Sequence, residues 1–147
     1  MITLTIDGQV VQAKEGQTIL EVARQAGIDI PTLCYHPLLE PYGGCRLCTV
    51  EIIQHGRTRM ETACTYPAWD GLEVKTHSPA VLQARKTIVG LLLSRCPNVP
   101  LLQEMAREYG ITEPPFATDT PDETCILCGL CVRTCQEIVK ANVLFFS

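Results

Sequence analysis

The 147-residue sequence lacks the features of membrane proteins, secreted proteins and nucleic-acid-binding proteins. Apolar runs such as Ile88–Leu93, which includes Gly90, are far shorter than the roughly 20 residues of a bilayer-spanning helix. The N-terminus has no basic region followed by an apolar stretch, so no secretory signal is predicted. The formal net charge is -4, without a Lys or Arg cluster, which argues against a nucleic-acid surface. We therefore expect a soluble, cytoplasmic protein that does not insert into a membrane.

A glycine-rich dinucleotide fingerprint is also absent, so we expect any nicotinamide or flavin to be bound by another subunit. Cysteine, in contrast, is abundant, with nine residues. An odd number cannot pair completely in disulfides within one chain, and a cytoplasmic protein keeps its thiols reduced. Metal binding is therefore the leading interpretation of these cysteines.

The first half of the sequence has the pattern of a small mixed sheet on one helix. Apolar alternation over Ile2–Ile6 and the Asp7-Gly8 turn predict a hairpin. A capping box formed by Thr18 and Glu21 predicts a short helix that stops at Gly27. Beyond a Pro- and Gly-rich loop, short strands are predicted at 49–53, 57–60 and 72–76.

Two helices and a cysteine-rich end are predicted in the second half. Ser78 as N-cap and Pro79 at the first position begin a longer helix, which ends at Cys96-Pro97. Its predicted apolar face consists of Val81, Leu82, Ile88, Val89 and Leu92. A second helix is predicted over 100–109, with Leu101, Leu102, Met105 and Tyr109 aligned. Residues 111–123, rich in proline and acidic side chains, are expected to form an extended linker.

The first cysteine group has the spacing C-x10-C-x2-C-x15-C and consists of Cys34, Cys45, Cys48 and Cys64. A two-iron cluster requires four thiolates, two for each iron. Gly43 and Gly44 allow the backbone to approach such a cluster and to aim N–H groups at its sulfurs. The alternatives are a structural zinc site and four unrelated buried thiols. Zinc ribbons usually present two C-x2-C pairs, whereas two of these cysteines are isolated.

The second group reads CILCGLCVRTC and consists of Cys125, Cys128, Cys131 and Cys135. This C-x2-C-x2-C-x3-C spacing is the four-iron signature of bacterial ferredoxins, with Gln136 where proline is usual. In two-cluster ferredoxins the fourth cysteine of such a run serves the other cluster, and this chain has no second run. The fourth ligand is therefore Cys135, the reserve candidate Cys96, or a residue absent from this sequence. Cys96 is equally well explained as a buried apolar thiol at a helix end.

With these motifs assembled, the chain resembles the N-terminal part of the large iron-sulfur subunit of respiratory NADH dehydrogenase (complex I). Related segments occur in NAD-linked hydrogenases and formate dehydrogenases. The resemblance implies an α+β fold with a ubiquitin-like (β-grasp) two-iron ferredoxin domain, a helical segment and a small bacterial-ferredoxin-like four-iron module. The implied boundaries are 1–78 for the two-iron domain, 79–110 for a helical connector, 111–123 for a linker and 124–147 for the four-iron module.

The resemblance also implies the cofactors and the role of the chain. One 2Fe-2S cluster would bind the first cysteine group and one 4Fe-4S cluster the second. The segment from Ser94 to Pro97 departs from the complex I pattern of a histidine and three cysteines, so we expect that extra cluster to be absent. The implied role is an electron-transfer subunit between a flavoprotein (NADH dehydrogenase-like) subunit and a second redox subunit, without bond chemistry of its own. The alternatives are an iron-sulfur enzyme with an open ligand site and a redox sensor or cluster carrier.

Overall fold

The computed structural model describes residues 1–146, and its first half is a five-stranded mixed sheet packed on a helix. Ser147, the last residue of the predicted four-iron module, lies outside the described residues. The strands are β1 (Ile2–Ile6), β2 (Gln9–Ala13), β3 (Thr49–Gln54), β4 (Arg57–Thr62) and β5 (Glu73–Lys75), and helix α1 (Ile19–Gln25) follows β2. The strand order is β2-β1-β5-β3-β4, with β1 and β5 parallel and the other neighbours antiparallel. This architecture agrees with the predicted α+β class.

Local sequence signals account for the turns of this half. Asp7 and Gly8 have φ angles of 50° and 82°, as a two-residue hairpin turn requires. The capping box at the start of α1 is confirmed, because the Thr18 side chain accepts from the Glu21 N–H and the Glu21 carboxylate accepts from the Thr18 N–H. Three strand predictions differ in length, since β3 continues to residue 54, β4 continues to residue 62 and β5 covers only 73–75.

Helices α2 (Pro79–Arg95) and α3 (Pro100–Glu108) follow the sheet. The predicted N-cap of α2 is confirmed, because the Ser78 hydroxyl accepts from the Val81 N–H at 3.2 Å. The predicted apolar face of α2 is partly wrong, since Leu82 is 40% exposed and the buried positions include Arg85 and Leu93. Positions 81, 85, 89 and 93 lie on one face of the helix, because residues four apart share a face. Hydrophobicity alone did not predict this face, because it contains the charged residue Arg85.

A second apolar core joins these helices to the cysteine loop that precedes β3. Leu102 of α3 is fully buried, whereas the neighbouring Leu101 is 48% exposed, so the two leucines predicted to be aligned do not share one buried face. Leu47, between two of the predicted ligands, packs into the same core. The buried members of this core are Leu47, Val89, Leu93, Cys96, Leu102, Ala106 and Ile111. Packing of α2 and α3 therefore supports the loop that carries the first cysteine group.

The remaining chain is irregular except near its end. The predicted linker packs on α2, since the Phe116 N–H donates to the Ser94 hydroxyl at 3.1 Å and a Cβ on Gly90 would lie 2.9 Å from Pro115. Helix α4 (Leu130–Arg133) continues directly into a π-helical turn, Thr134–Val139. Among residues 1–146, no helix combines the length and the apolar character needed to cross a bilayer.

Candidate metal centre

Strand pairing brings two of the predicted two-iron ligands together. Cys48 immediately precedes β3, and Cys64 follows β4 by two residues. The antiparallel register pairs Thr49 with Thr62, and the Ala63 N–H donates to the Cys48 carbonyl at 3.1 Å. The open end of this hairpin therefore places the two cysteines side by side, and each is only 1% exposed. This explains how a ligand 16 positions further along the chain can complete the site.

The other two ligands of this group meet in the loop between α1 and β3. Cys34 is buried and Cys45 is half-buried, and the Cys45 N–H donates to Cys34 Sγ at 3.4 Å. The Gly44 N–H also stabilises the Cys34 thiolate. Gly43 adopts a φ of 68°, a left-handed conformation that favours glycine. The predicted role of the two glycines, to aim backbone N–H groups at ligand sulfur, agrees with this geometry.

Within each pair, one thiol stabilises the thiolate of the other. The Cys34 thiol lowers the pKa of Cys45 to about 5 by hydrogen bonding, and the Cys64 thiol lowers the pKa of Cys48 to about 7 in the same way. The pKa values of Cys34 and Cys64 are correspondingly raised, first by these hydrogen bonds and then by burial. Each pair thus offers one thiolate near neutral pH, and the thiolate is the form that binds metal.

The two pairs suit a two-iron cluster better than a single zinc ion. The charges of Cys48, Cys34 and Cys45 contribute to the raised pKa of Cys64, which indicates that the two pairs lie close together. In the part of the chain that the structure describes, however, no three Cys, His, Asp or Glu side chains are arranged around a single-metal position. A two-iron cluster requires two thiolates on each of two irons, which is the arrangement of two adjacent pairs. The donor set and its N–H groups therefore fit a 2Fe-2S cluster.

The second cysteine group is more exposed than the first. Cys125 and Cys131 are exposed, Cys128 is half-buried, and Cys135 is buried. The N–H groups of residues 142–144 lower the pKa of Cys135, so the C-terminal segment wraps around its sulfur. As in the first group, no three of these thiols in residues 1–146 are arranged around a single-metal position. Their assignment to a 4Fe-4S cluster consequently rests on their spacing.

Cys96, the reserve candidate for the fourth ligand, lies beside the start of this group. Its side chain is fully buried at the end of α2, and its thiol donates to the Cys125 carbonyl at 3.4 Å. Burial raises the pKa of this thiol, which favours the neutral form. Both interpretations of Cys96, a small apolar residue and a further ligand, therefore remain predictions.

A buried arginine connects the two cysteine groups. Arg133, between Cys131 and Cys135, donates from Nη1 to the Cys34 carbonyl at 2.7 Å and from Nη2 to the Glu40 carbonyl. Its guanidinium lies 5.0 Å from the centroid of the Tyr42 ring. Sequence reasoning missed this residue, since an arginine between cysteines has no local signal of burial.

A cavity of about 340 Å³ also lies between the groups. Cys45 of the first group and Cys128 of the second both line it, together with Arg46, Arg95 and apolar side chains of α2. The two cysteine groups are therefore spatial neighbours.

The three histidines, to which the sequence assigned no role, are exposed.

Comparison with known proteins agrees with this site. The family described as 2Fe-2S iron-sulfur cluster binding domain matches residues 1–79. NADP-reducing hydrogenase subunit HndD of Solidesulfovibrio fructosivorans is 36% identical over 98% of this chain and 29% of its own length. The NADH-ubiquinone oxidoreductase 75 kDa subunit of Reclinomonas americana is 30% identical over 94% of this chain and 23% of its own length. The chain thus spans less than a third of these relatives.

A solved structure supports the fold as well as the sequence relationship. The crystal structure of an NAD+-reducing [NiFe]-hydrogenase in the H2-reduced state contains a chain with a TM-score of 0.78 and 34% identity. The match covers 91% of this chain and 65% of that chain. The resemblance inferred from the cysteine spacing is confirmed, and the chain belongs to the family of 2Fe-2S iron-sulfur cluster binding domains.

Proposed function

We propose that the chain is an electron-transfer subunit that relays single electrons between a flavin- or NAD(P)H-linked subunit and another redox module of a multi-subunit complex. The observation that carries the proposal is the convergence of four cysteines as two adjacent pairs, with backbone N–H groups directed at their sulfurs. A 2Fe-2S cluster bound there exchanges one electron at a time. Cys34, Cys45, Cys48 and Cys64 would hold it.

The second half of the proposal is a 4Fe-4S cluster on Cys125, Cys128 and Cys131, with Cys135 as the fourth ligand. Its support is the ferredoxin-type spacing and the position of this group next to the first. Cys45 and Cys128 line one cavity, and Arg133 connects the second group to a ligand carbonyl of the first. Such proximity is what electron transfer between two clusters requires.

In this proposal residues 1–78 form the two-iron domain, 79–110 a helical connector, 111–123 a linker and 124–147 the four-iron module. The relatives are named as subunits of an NADP-reducing hydrogenase and of NADH-ubiquinone oxidoreductase, which supports a role in a multi-subunit complex. We place this complex in the cytoplasm, with the nicotinamide bound by its flavoprotein subunit.

The test is anaerobic purification followed by iron counting and EPR of the reduced protein. We expect about six irons per chain and two distinct reduced signals, from one cluster of each type. Cys64→Ser should remove only the two-iron signal, and Cys128→Ser only the four-iron signal. Bound zinc in place of iron would contradict the proposal.

Separate serine variants of Cys135 and Cys96 identify the fourth ligand of the 4Fe-4S cluster. We expect Cys135→Ser to lose the four-iron signal and Cys96→Ser to keep it. The opposite result would assign the ligand to Cys96, whose thiol already lies at the Cys125 carbonyl. Co-purification with a flavoprotein would separate the subunit from an iron-sulfur enzyme or a sensor that acts alone.

A further inference from the structure

Arg85 is a buried positive charge without an ion-pair partner. It lies on the inner face of α2 and is 1% exposed. Its Nη2 donates to the Thr49 carbonyl at 2.9 Å, whereas its Nε is buried and has no hydrogen-bond partner. None of the ion pairs found in residues 1–146 includes it.

An isolated buried charge is unfavourable, and arginine cannot escape the cost by losing its proton. A compensating negative charge is therefore expected close to Arg85. The groups that stabilise its charged form are the Tyr109 hydroxyl, then Cys48, and least of all Asp29. Of these groups, Cys48 is the one that a bound two-iron cluster would hold as a thiolate, so this cluster ligand is the negative neighbour expected at Arg85.

The position of Arg85 also points to the two-iron site. The carbonyl that anchors its guanidinium belongs to Thr49, the residue directly after the ligand Cys48. A cluster held by four thiolates has a net negative charge, and uptake of one electron by one iron makes it more negative. A fixed positive charge in a buried environment stabilises this reduced form more than the oxidised form.

We propose that Arg85 is the buried counter-charge of the two-iron cluster, and that it raises the reduction potential of the cluster from its anchor beside Cys48. This inference rests on the proposed two-iron site. It makes α2 part of the redox site, although the helix begins where the matched family domain ends, at residue 79. Arg85 acts here as a positioning residue that adjusts the potential and is not a ligand.

Redox titration of the full chain with its clusters bound, monitored by the two-iron EPR signal, tests the proposal. In Arg85→Gln and Arg85→Met the ratio of reduced to oxidised cluster at a fixed potential should fall about tenfold, which is a shift of about 59 mV for one electron. Arg85→Lys keeps the charge and should keep most of the potential. Lys86→Gln, an equal charge change at the next, exposed residue, should leave the potential unchanged.

A potential in both neutral variants equal to that of Lys86→Gln would overturn the proposal. If the neutral variants do not retain the cluster, Arg85→Lys decides the question. Retention of cluster and potential in the lysine variant supports a charge role, whereas loss in all three variants would assign Arg85 to packing alone. Failure of the proposed function is distinguishable, because the unmodified protein would then show no two-iron signal.

Discussion

Substitution of Arg133 by methionine should release the C-terminal cysteine segment from the loop of the first cysteine group. The guanidinium donates to the Cys34 and Glu40 carbonyls and contacts the Tyr42 ring. Glu137 contacts both partners. Its Oε2 accepts from the Glu40 N–H at 2.8 Å, and its Oε1 lies 3.6 Å from Arg133 Nε. One side chain therefore makes most of the polar contact between the two segments.

The size of the effect follows from these contacts. A hydrogen bond to a charged group contributes about 1.5–3 kcal/mol, and a cation–π contact about 0.5–2 kcal/mol, depending on its exposure. Methionine retains part of the apolar packing, so we expect a net loss of roughly 3 kcal/mol. Because 1.4 kcal/mol corresponds to a factor of ten, separation of the segments should become about 100-fold more frequent.

Native-state hydrogen exchange of the Glu40 amide measures this separation directly, because its N–H is bonded to Glu137 only while the segments are in contact. We expect exchange at Glu40 to accelerate about 100-fold in Arg133→Met. Arg107→Met is the control, since Arg107 is exposed and its Nε bonds to the Gln103 carbonyl of its own helix. Unchanged exchange at Glu40 in Arg133→Met would refute the reasoning.

Three further predictions concern the packing and the local signals, and urea denaturation of the full chain tests each of them. Gly44→Ala places a Cβ inside the van der Waals radius of the Tyr42 ring and should destabilise the fold by about 1–3 kcal/mol; an unchanged midpoint would show that the ring moves freely. Thr18→Ala removes the capping box of α1 and should cost about 1 kcal/mol, and no loss would argue that tertiary contacts alone hold that helix end. Leu102→Ala should cost about 2–5 kcal/mol, whereas the exposed Leu101→Ala should stay within about 0.5 kcal/mol; equal effects would contradict the second core.

Features that depend on neighbouring residues were predictable from the sequence. The Asp7-Gly8 turn and the caps at Thr18 and Ser78 agree with the structure, because each depends on backbone geometry within about four residues. The first cysteine group was assigned on chemical grounds, since two irons need four thiolates and this group supplies four. Its ligand assignment stays a prediction, although the structure brings the four cysteines together as two adjacent pairs. The four-iron assignment of the second group stays a prediction from spacing.

The inner face of α2 was predictable only in part. Hydrophobicity placed Leu82 inside, but the structure buries Arg85 on that face and leaves Leu82 40% exposed. A periodicity argument treats arginine as a surface residue, so it does not predict a buried charge on the inner face of a helix.

By itself, the sequence determined the class of fold, the cysteine group expected to hold two irons and the starts of the first three helices. Only the tertiary structure decided which cysteines pair and which charges surround them. Cys48 meets Cys64 because strands β3 and β4 pair, and Arg85 and Arg133 reach the cysteine loop from segments 36 and 99 residues away. Contacts over such separations depend on how whole elements pack, and no local pattern of residues encodes them.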